Sequence, residues 1–328
     1  MVYASVIIFD FNRPNFIKDA ITSIKSSSPG LDFEIIVIKS YIDLDIEKFL
    51  DEHSIVYIDL MEEMQQSDYI KAAVSAASGE IIIFMDDDDI FYPEKIGYVI
   101  DIFKTNKNLG YYHNNFDTID ESKNIIPNKN YKTPEFRTVY ISADNKFYFF
   151  KNRKNLQTIL KIRPDFNSSS IAIRRNLISE YHEDYNFNVR PDSFIFVLAL
   201  ISSMDIMLDY KVLTHYRIHN ENVSTSYDTT INKLRAIFME GFSKGIPMFE
   251  NIEKMVRDTT YENYIKLRIV NLKLAYNFWA LDKTFKLQKH DIFTILKIDF
   301  IHETLYIILS SMPAFIKLNV MKIFYHSN

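Results

Sequence analysis

One stretch constrains the fold more than any other, an apolar run that ends in four consecutive aspartates. Residues 81–85 are Ile-Ile-Ile-Phe-Met, and residues 86–89 are all Asp. A short, β-branched apolar run bounded by turn signals predicts a buried parallel strand. The carboxyl ends of such strands are where open α/β sheets bind ligands. Adjacent carboxylates repel one another, and a hard divalent cation would relieve that repulsion.

The acidic run has two simpler interpretations. A solvated turn is the usual one, but here a buried strand directs the carboxylates to one edge of a sheet. An EF-hand loop starting at Asp86 is excluded, because Ile90 and Gly97 would occupy its fifth and twelfth positions. The six glycines form neither G-x-G-x-x-G nor a P-loop, so a phosphate ligand would need a metal and side chains. The absence of cysteine excludes thiolate sites and disulfides.

Hydrophobic periodicity predicts alternating strands and helices along the first part of the chain. Strands are predicted at 3–9, 33–38, 55–58 and 81–85, with helices at 14–26, 42–52, 65–77 and 94–107. This alternation predicts a parallel sheet with helices on both faces. The charge divides unevenly, with 24 Lys and Arg against 34 Asp and Glu in 1–232 and 14 against 9 in 233–328. We therefore predict a domain at 1–228 and a helical region at 229–328.

Four motifs in order resemble the family 2 glycosyltransferases. The stretch 78–95, SGEIIIFMDDDDIFYPEK, resembles their metal-binding Asp-x-Asp motif, and 4–21, ASVIIFDFNRPNFIKDAI, resembles their opening strand and turn. The texts NSSSIAIRR at 167–175 and YRIHNENVS at 216–224 resemble later parts of the same domain. The resemblance covers residues 3 to about 226. It implies the GT-A fold, a Rossmann-like, mostly parallel sheet flanked by helices, here with a C-terminal α-helical extension.

The resemblance also implies roles for particular residues. Those implied to bind the nucleotide sugar are Phe11, Asn12, Arg13, Lys71, Asp86, Asp87 and Arg217. The implied ligands of Mn²⁺ or Mg²⁺ are Asp86, Asp88 and His219, and the implied general base is Asp192. Each has a structural alternative: Lys71 as a solvated helix lysine, Asp192 as a residue that favours a helix start, and His219 as a core histidine.

The implied reaction is inverting transfer from a nucleotide sugar of the UDP or GDP type to a hydroxyl of a glycan or lipid-linked glycan. Family members commonly end the second strand in acidic residues that bind the base, but this chain has Lys39 and Ser40 there, which leaves the base open. A nucleotidyltransferase also holds a metal on carboxylates at strand ends. A non-catalytic sugar-binding or scaffold protein is the third alternative. No nucleic-acid partner is expected.

The final segment, 313–328, reads as an amphipathic helix in which apolar residues accompany Lys317 and Lys322. This pattern predicts a cytoplasmic protein attached peripherally to the cytoplasmic face of a membrane. The alternatives are a helical region packed on the catalytic domain and a homodimer interface. No uninterrupted apolar stretch approaches the ~20 residues that a spanning helix needs.

Overall fold

The computed structural model describes residues 2–10, 13–26, 30–60, 66–127, 137–179, 191–219, 231–257, 259–282, 284–286 and 309–325. The chain divides into two compact units. The first contains Met1–Lys146 and Ile162–Arg217, and the second contains Phe147–Lys161 and Ile218–Asn328. Nothing in the sequence pattern indicated that residues 147–161 belong with the C-terminal helices. The predicted boundary at residue 228 lies outside the described residues and stays a prediction.

The described strands and helices follow the predicted alternation as far as the aspartates. The strands are β1 (Ala4–Asp10), β2 (Phe33–Lys39), β3 (Val56–Asp59), β4 (Ile81–Asp86), β5 (Ile90–Phe91), β6 (Leu109–Ile119), β7 (Val139–Ile141), β8 (Ile171–Arg174) and β9 (Asp205–Arg217). The helices are α1 (Pro14–Ser26), α2 (Leu44–Glu52), α3 (Gln66–Ala76), α4 (Lys95–Thr105), α5 (Lys146–Lys151), α6 (Arg153–Ile162), α7 (Asn176–Ser179), α8 (Pro191–Ile201), α9 (Ile231–Met255), α10 (Glu262–Ala280) and α11 (Ala314–Tyr325).

The strands form one sheet in the order β3-β2-β1-β4-β8-β6-β9-β5, with β7 on β9. Strands β1 to β4 are parallel to their neighbours in this group, and β6 is parallel to β9. Strand β8 is antiparallel to both β4 and β6, and β5 and β7 are antiparallel to β9. The predicted GT-A class, a mostly parallel sheet flanked by helices, is confirmed. The antiparallel strands were not predicted.

Two strands are longer than the sequence pattern indicates. The sequence pattern also predicts strands at 109–114 and 206–213, whereas β6 extends to Ile119 and β9 extends to Arg217. The two pair along their whole length, with irregular register at Asn114 and Asn115. Inter-strand hydrogen bonds hold these polar residues in the sheet, which their composition did not predict. His113, expected at the end of β6, therefore lies in the middle of the strand.

The second unit has its own apolar core. Ile231 and Leu234 of α9, Phe278 and Trp279 of α10, and Met321 of α11 are buried together, and Val320 packs against them. The side chain of Lys317 is also buried, and its Nζ donates to the carbonyls of Asn277 (2.8 Å) and Asp282 (3.0 Å). The prediction that Lys317 faces lipid is therefore wrong, because the lysine anchors α11 to the end of α10.

The described helices also bear on whether this part of the chain crosses a membrane. Among the residues that the structure describes, none of the helices combines the length and the apolar character that crossing a bilayer requires.

Candidate functional site

The aspartates at the end of β4 form the candidate site. Carboxylate oxygens of Asp86, Asp88 and Asp89 lie within 4.8 Å of one another, and we call these three residues the aspartate group. Asp89 is fully buried, and its Oδ1 accepts the Arg217 backbone N–H at 2.9 Å. Its Oδ2 is buried without a hydrogen bond of ordinary geometry to any described residue. The predicted ligands Asp86 and Asp88 are thus brought together, and the structure adds Asp89 to them.

Arg13 supplies positive charge at this site. Its guanidinium forms ion pairs with Asp87 and with Asp88, and its Nε donates to Asp87 Oδ2 at 3.1 Å. The arginine follows β1, whose last residues pair in parallel with the end of β4. Adjacent parallel strands end at the same edge of the sheet, which is why a motif at residue 13 meets one at residue 87.

The pKa values of these carboxyl groups reflect the electrostatic cost of holding them close together in a buried position. Burial, followed by the negative charge of Asp88, raises the pKa of Asp86 to about 6. Burial also raises the pKa of Asp87 and of Asp89 well above the usual range, and neighbouring carboxylates add to both shifts. A shifted pKa of this kind means that the ionised form is disfavoured, so a bound cation would stabilise the site.

A serine-rich turn between α6 and β8 holds Asp86 in place. The Ser168 hydroxyl donates to Asp86 Oδ1 at 2.5 Å, and Ser169 Oγ accepts the Asp86 backbone N–H at 2.9 Å. The turn reaches Asp86 because β8 pairs with β4. This motif belongs to the resemblance, but the sequence does not reveal its contact with the aspartates.

Lys95, the first residue of α4, is buried beneath the same turn. Its Nζ donates to the Ser169 carbonyl and to Thr214 Oγ1 (2.7 Å), and lies 3.7 Å from the centre of the Phe91 ring. Burial lowers the pKa of Lys95 well below its usual range, and the charge of Asp89 opposes that shift. Sequence reasoning missed this residue, although the four-residue spacing from Lys95 to Val99 and Phe103 places it on the apolar stripe of α4.

Arg217 supports the turn that carries the aspartates. Its side chain is fully buried, and Nε donates to the Asp88 carbonyl at 2.7 Å. Its other nitrogens reach the Glu121 carbonyl (3.0 Å) and Asp19 Oδ2 (3.2 Å). The guanidinium therefore fixes the backbone of the motif. Its predicted contact with phosphate stays a prediction.

The structure does not place the remaining residues predicted to bind the donor or the metal within the aspartate group. Phe11 and Asn12 lie outside the described residues. Lys71 is partly exposed on α3, 3.9 Å from Asp68. His219 is buried two residues beyond β9, and the aspartate group does not include it. Their roles stay predictions.

Asp192 lies in the first turn of α8, as the sequence predicts. Its Oδ1 accepts the Ser193 backbone N–H at 2.8 Å, and the rest of α8 through Leu200 is buried. This contact suits a carboxylate that stabilises a helix start, and half-burial leaves the group accessible. The catalytic role of Asp192 stays a prediction.

Lys39 lies at the end of β2, where family members commonly have an acidic residue, and the structure shows its partners. The lysine is fully buried, and its Nζ contacts Glu47 (2.8 Å), Asp59 (2.5 Å) and the Tyr41 carbonyl (2.8 Å). The Tyr41 hydroxyl in turn donates to the buried Asp10 at the end of β1. Lys39 is therefore neutralised within the protein, which explains how this strand end tolerates a buried cation.

Comparison with known proteins places this fold and site in a family. The model of the family described as glycosyl transferase family 2 matches residues 5–181, more than half of the chain. The chain belongs to glycosyl transferase family 2. The match includes nearly all of β1, strands β2 to β4, the aspartate group and the Ser168–Ser170 turn, whereas Asp192, Arg217 and His219 lie beyond it.

Individual relatives of this family 2 chain are distant. An uncharacterized glycosyltransferase of Nostoc sp. (strain PCC 7120 / SAG 25.82 / UTEX 2576) is 23% identical over 230 residues, which cover 66% of this chain and 65% of the relative. The matched part is therefore just under two thirds of the relative's length.

Solved structures share the fold. S. aureus TarS 1–349 in complex with UDP-GlcNAc has a TM-score of 0.55 at 12% identity, and the match covers 90% of this chain and 79% of that one. S. aureus TarS 1–349 has a TM-score of 0.52 at 12% identity with the same coverage. At such identities the likeness shows the fold alone.

Proposed function

We propose that this family 2 chain transfers a sugar from a nucleotide-sugar donor to an acceptor hydroxyl, with inversion and with the help of a divalent cation. The observation that carries the proposal is the aspartate group at the carboxyl end of β4, in which Asp89 Oδ2 is buried without an ordinary hydrogen bond. Carboxylates that are this close together and this buried are costly to ionise unless a cation compensates their charge.

The donor atoms of the site fit Mn²⁺ or Mg²⁺. All are carboxylate oxygens, which hard cations prefer, and Asp86 and Asp88 would hold the ion with Asp89 beside them. When bound, the ion would offset negative charge on the departing diphosphate. Arg13 already lies against Asp87 and Asp88, so it is placed to pair with the same diphosphate.

Asp192 is the proposed general base. The acceptor oxygen forms its bond to the anomeric carbon as the bond to the diphosphate breaks, and the hydroxyl proton passes to the Asp192 carboxylate. The transition state is expected to resemble an oxocarbenium ion, as in glycoside hydrolysis. Asp192 lies in the first turn of α8, where the helix dipole favours a negatively charged side chain.

The substrates are proposed by class. UDP-GlcNAc is the first donor to test, because that ligand is named in the TarS complex, and a GDP-type donor is the second. The acceptor is proposed to be a glycan or lipid-linked glycan that the protein binds at the cytoplasmic side of a membrane. Formation of a homodimer stays a prediction.

Donor binding tests the metal assignment. We expect UDP to bind wild-type protein with Mn²⁺ present and to bind at least ~10-fold more weakly after EDTA treatment or in Asp88→Asn. Isothermal titration calorimetry measures UDP binding to wild type and to Asp88→Asn, each with Mn²⁺ and with EDTA. Asp101→Asn, which changes an exposed aspartate on α4, is the matched control and should bind like wild type. Equal affinities throughout would show that the aspartate group does not hold a metal.

The rate of sugar transfer tests whether Asp192 is the general base. Asp192→Asn should retain metal-dependent UDP binding but lose transfer by ~10²-fold or more, because asparagine still favours a helix start and cannot take the proton. Release of UDP from UDP-GlcNAc in the presence of acceptor is the measurement. Transfer at the wild-type rate would remove Asp192 from the mechanism, and release of pyrophosphate from a nucleoside triphosphate would indicate a nucleotidyltransferase instead.

A further inference from the structure

The outer face of α5 carries two exposed aromatic rings. Phe147 is 46% exposed and Tyr148 is 70% exposed, whereas Phe150 is fully buried and packs edge-on against Tyr261 (5.5 Å between ring centres). The Phe147 and Tyr148 rings lie 5.3 Å apart, and Lys151 Nζ lies 4.0 Å from the centre of the Phe147 ring. The helix is thus fixed by its inner side, and its two outer rings and a lysine form one continuous surface.

Positive charge continues from α5 into α6. The basic residues of 147–161 are Lys151, Arg153, Lys154 and Lys161, all exposed, and the segment contains no Asp or Glu. The Asn152 side chain accepts the Lys154 backbone N–H at 2.9 Å, which fixes the turn between the helices. We call Phe147, Tyr148, Lys151, Arg153 and Lys154 the α5–α6 surface. Its charge is opposite to the net charge of −5 of the whole chain.

The final segment, 313–328, which the sequence pattern predicts to contact lipid, has only part of these properties among its described residues. Lys317 of α11 is buried against carbonyl oxygens, and Val320 and Met321 pack into the core of the second unit. The charge of Lys317 and part of the apolar face of α11 are therefore used in folding, whereas Phe315 is 65% exposed and the side chain of Lys322 lies outside the described residues. Within the described residues of this unit, the α5–α6 surface offers the basic and aromatic combination that an interfacial anchor requires.

We propose that the α5–α6 surface binds the surface of an anionic lipid bilayer. The two rings would enter the headgroup region, where amphipathic aromatic side chains are favoured. Lys151, Arg153 and Lys154 would lie against lipid phosphates, an attraction that salt weakens. A soluble acidic polymer would satisfy the cations but would not require burial of the Phe147 and Tyr148 rings, and this difference separates the two occupants.

Sedimentation with vesicles tests the proposal on the full chain. The probes are vesicles of phosphatidylcholine with phosphatidylglycerol and vesicles of phosphatidylcholine alone. We expect wild type to bind the anionic vesicles more tightly and to lose part of that binding as salt increases. Replacing the three cations (Lys151→Gln, Arg153→Gln and Lys154→Gln) should weaken binding about 100-fold. Replacing the rings (Phe147→Ser and Tyr148→Ser) should weaken it about 10-fold or more.

Matched controls change the same chemistry elsewhere. Tyr210→Ser removes a ring that is 60% exposed on β9, and Lys48→Gln with Lys104→Gln and Lys107→Gln removes three exposed cations from α2, α4 and the loop after α4. Both should bind vesicles like wild type. Thermal unfolding shows whether each variant folds, and a variant that melts early is replaced by the single changes Tyr148→Ser and Lys154→Gln.

Three results would overturn the proposal. Wild type that stays in the supernatant with anionic vesicles would exclude lipid binding. Control variants that lose as much binding as the surface variants would make the attraction non-specific. Full vesicle binding by the ring variant, with complete displacement by soluble polyglutamate, would show that the surface recognises an acidic polymer.

Discussion

At the scale of single residues, His113 shows how burial changes a side chain's chemistry. It lies in the middle of β6, and its Nε2 donates to the Phe166 carbonyl at 3.0 Å. Burial lowers the pKa of His113 to about 4, and the hydrogen bond to Phe166 opposes that shift. The neutral ring is therefore the native form across the physiological range, and its role is structural.

This shift predicts how acid affects stability. Between pH 6.5, the ordinary pKa, and about pH 4, the unfolded chain binds a proton at His113 and the native protein does not. The free energy of unfolding should therefore fall as the pH falls, by up to about 3 kcal/mol from this group. In His113→Gln that contribution should disappear. Urea unfolding of both proteins at several pH values measures it, and parallel curves would contradict the assignment.

The site residues show the same dependence on surroundings. The run of four aspartates predicts a cation site, which stays a prediction, but the different contacts of the four residues were not predicted. Asp87 pairs with Arg13, Asp86 is held by Ser168, and Asp89 accepts hydrogen bonds from the Arg217 backbone and from Ser169. These differences arise from neighbours that are distant in sequence.

At the scale of elements, the turn before β4 depends on a glycine. A Cβ at Gly79 would lie 2.6 Å from the Ser5 backbone nitrogen and 2.7 Å from the Ala4 carbonyl carbon. The Gly79 N–H donates to Ser5 Oγ at 2.9 Å, so β1 and the entry to β4 touch directly. A side chain here would push apart the two strands whose ends carry the site.

Paired glycine substitutions test this contact. Gly79→Ala should lower the free energy of unfolding by about 2–3 kcal/mol, because the clashing atoms are backbone and cannot turn away. Gly241→Ala, within α9, should raise it by about 1 kcal/mol, since no atom lies within 4 Å and alanine favours helix. Chemical denaturation measures both, and a Gly79→Ala protein as stable as wild type would refute the close approach.

At the scale of the whole molecule, the aspartate group lies in the first of two compact units. A ligand that binds only the folded site stabilises the protein by mass action, by about 2.7 kcal/mol at one hundred times its dissociation constant. UDP with Mn²⁺ should therefore raise the thermal unfolding midpoint of that unit by a few degrees. Calorimetry should show a clearly smaller rise in Asp88→Asn and with UDP and EDTA. A rise in Asp88→Asn equal to that of wild type would place the ligand elsewhere.

The sequence by itself determined the local structure and the acidic character of the candidate site. Strands β1 to β4 and helices α1 to α4 lie within two residues of their predicted bounds, because apolar spacing and turn residues act over short distances. The position of the aspartates at a strand end followed from the same pattern. So did the family, which the order of four motifs indicated and the family match confirmed.

Only the tertiary structure decided which distant residues complete the site. Strand β8 enters between β4 and β6 in antiparallel orientation, and this brings Ser168 to Asp86 across more than 80 residues. Burial of Lys95 and Lys317 likewise depends on carbonyl oxygens supplied by other elements. A lysine is expected to be exposed when only its sequence neighbours are known. Only a fold that supplies hydrogen-bond acceptors can offset the cost of burying its charge.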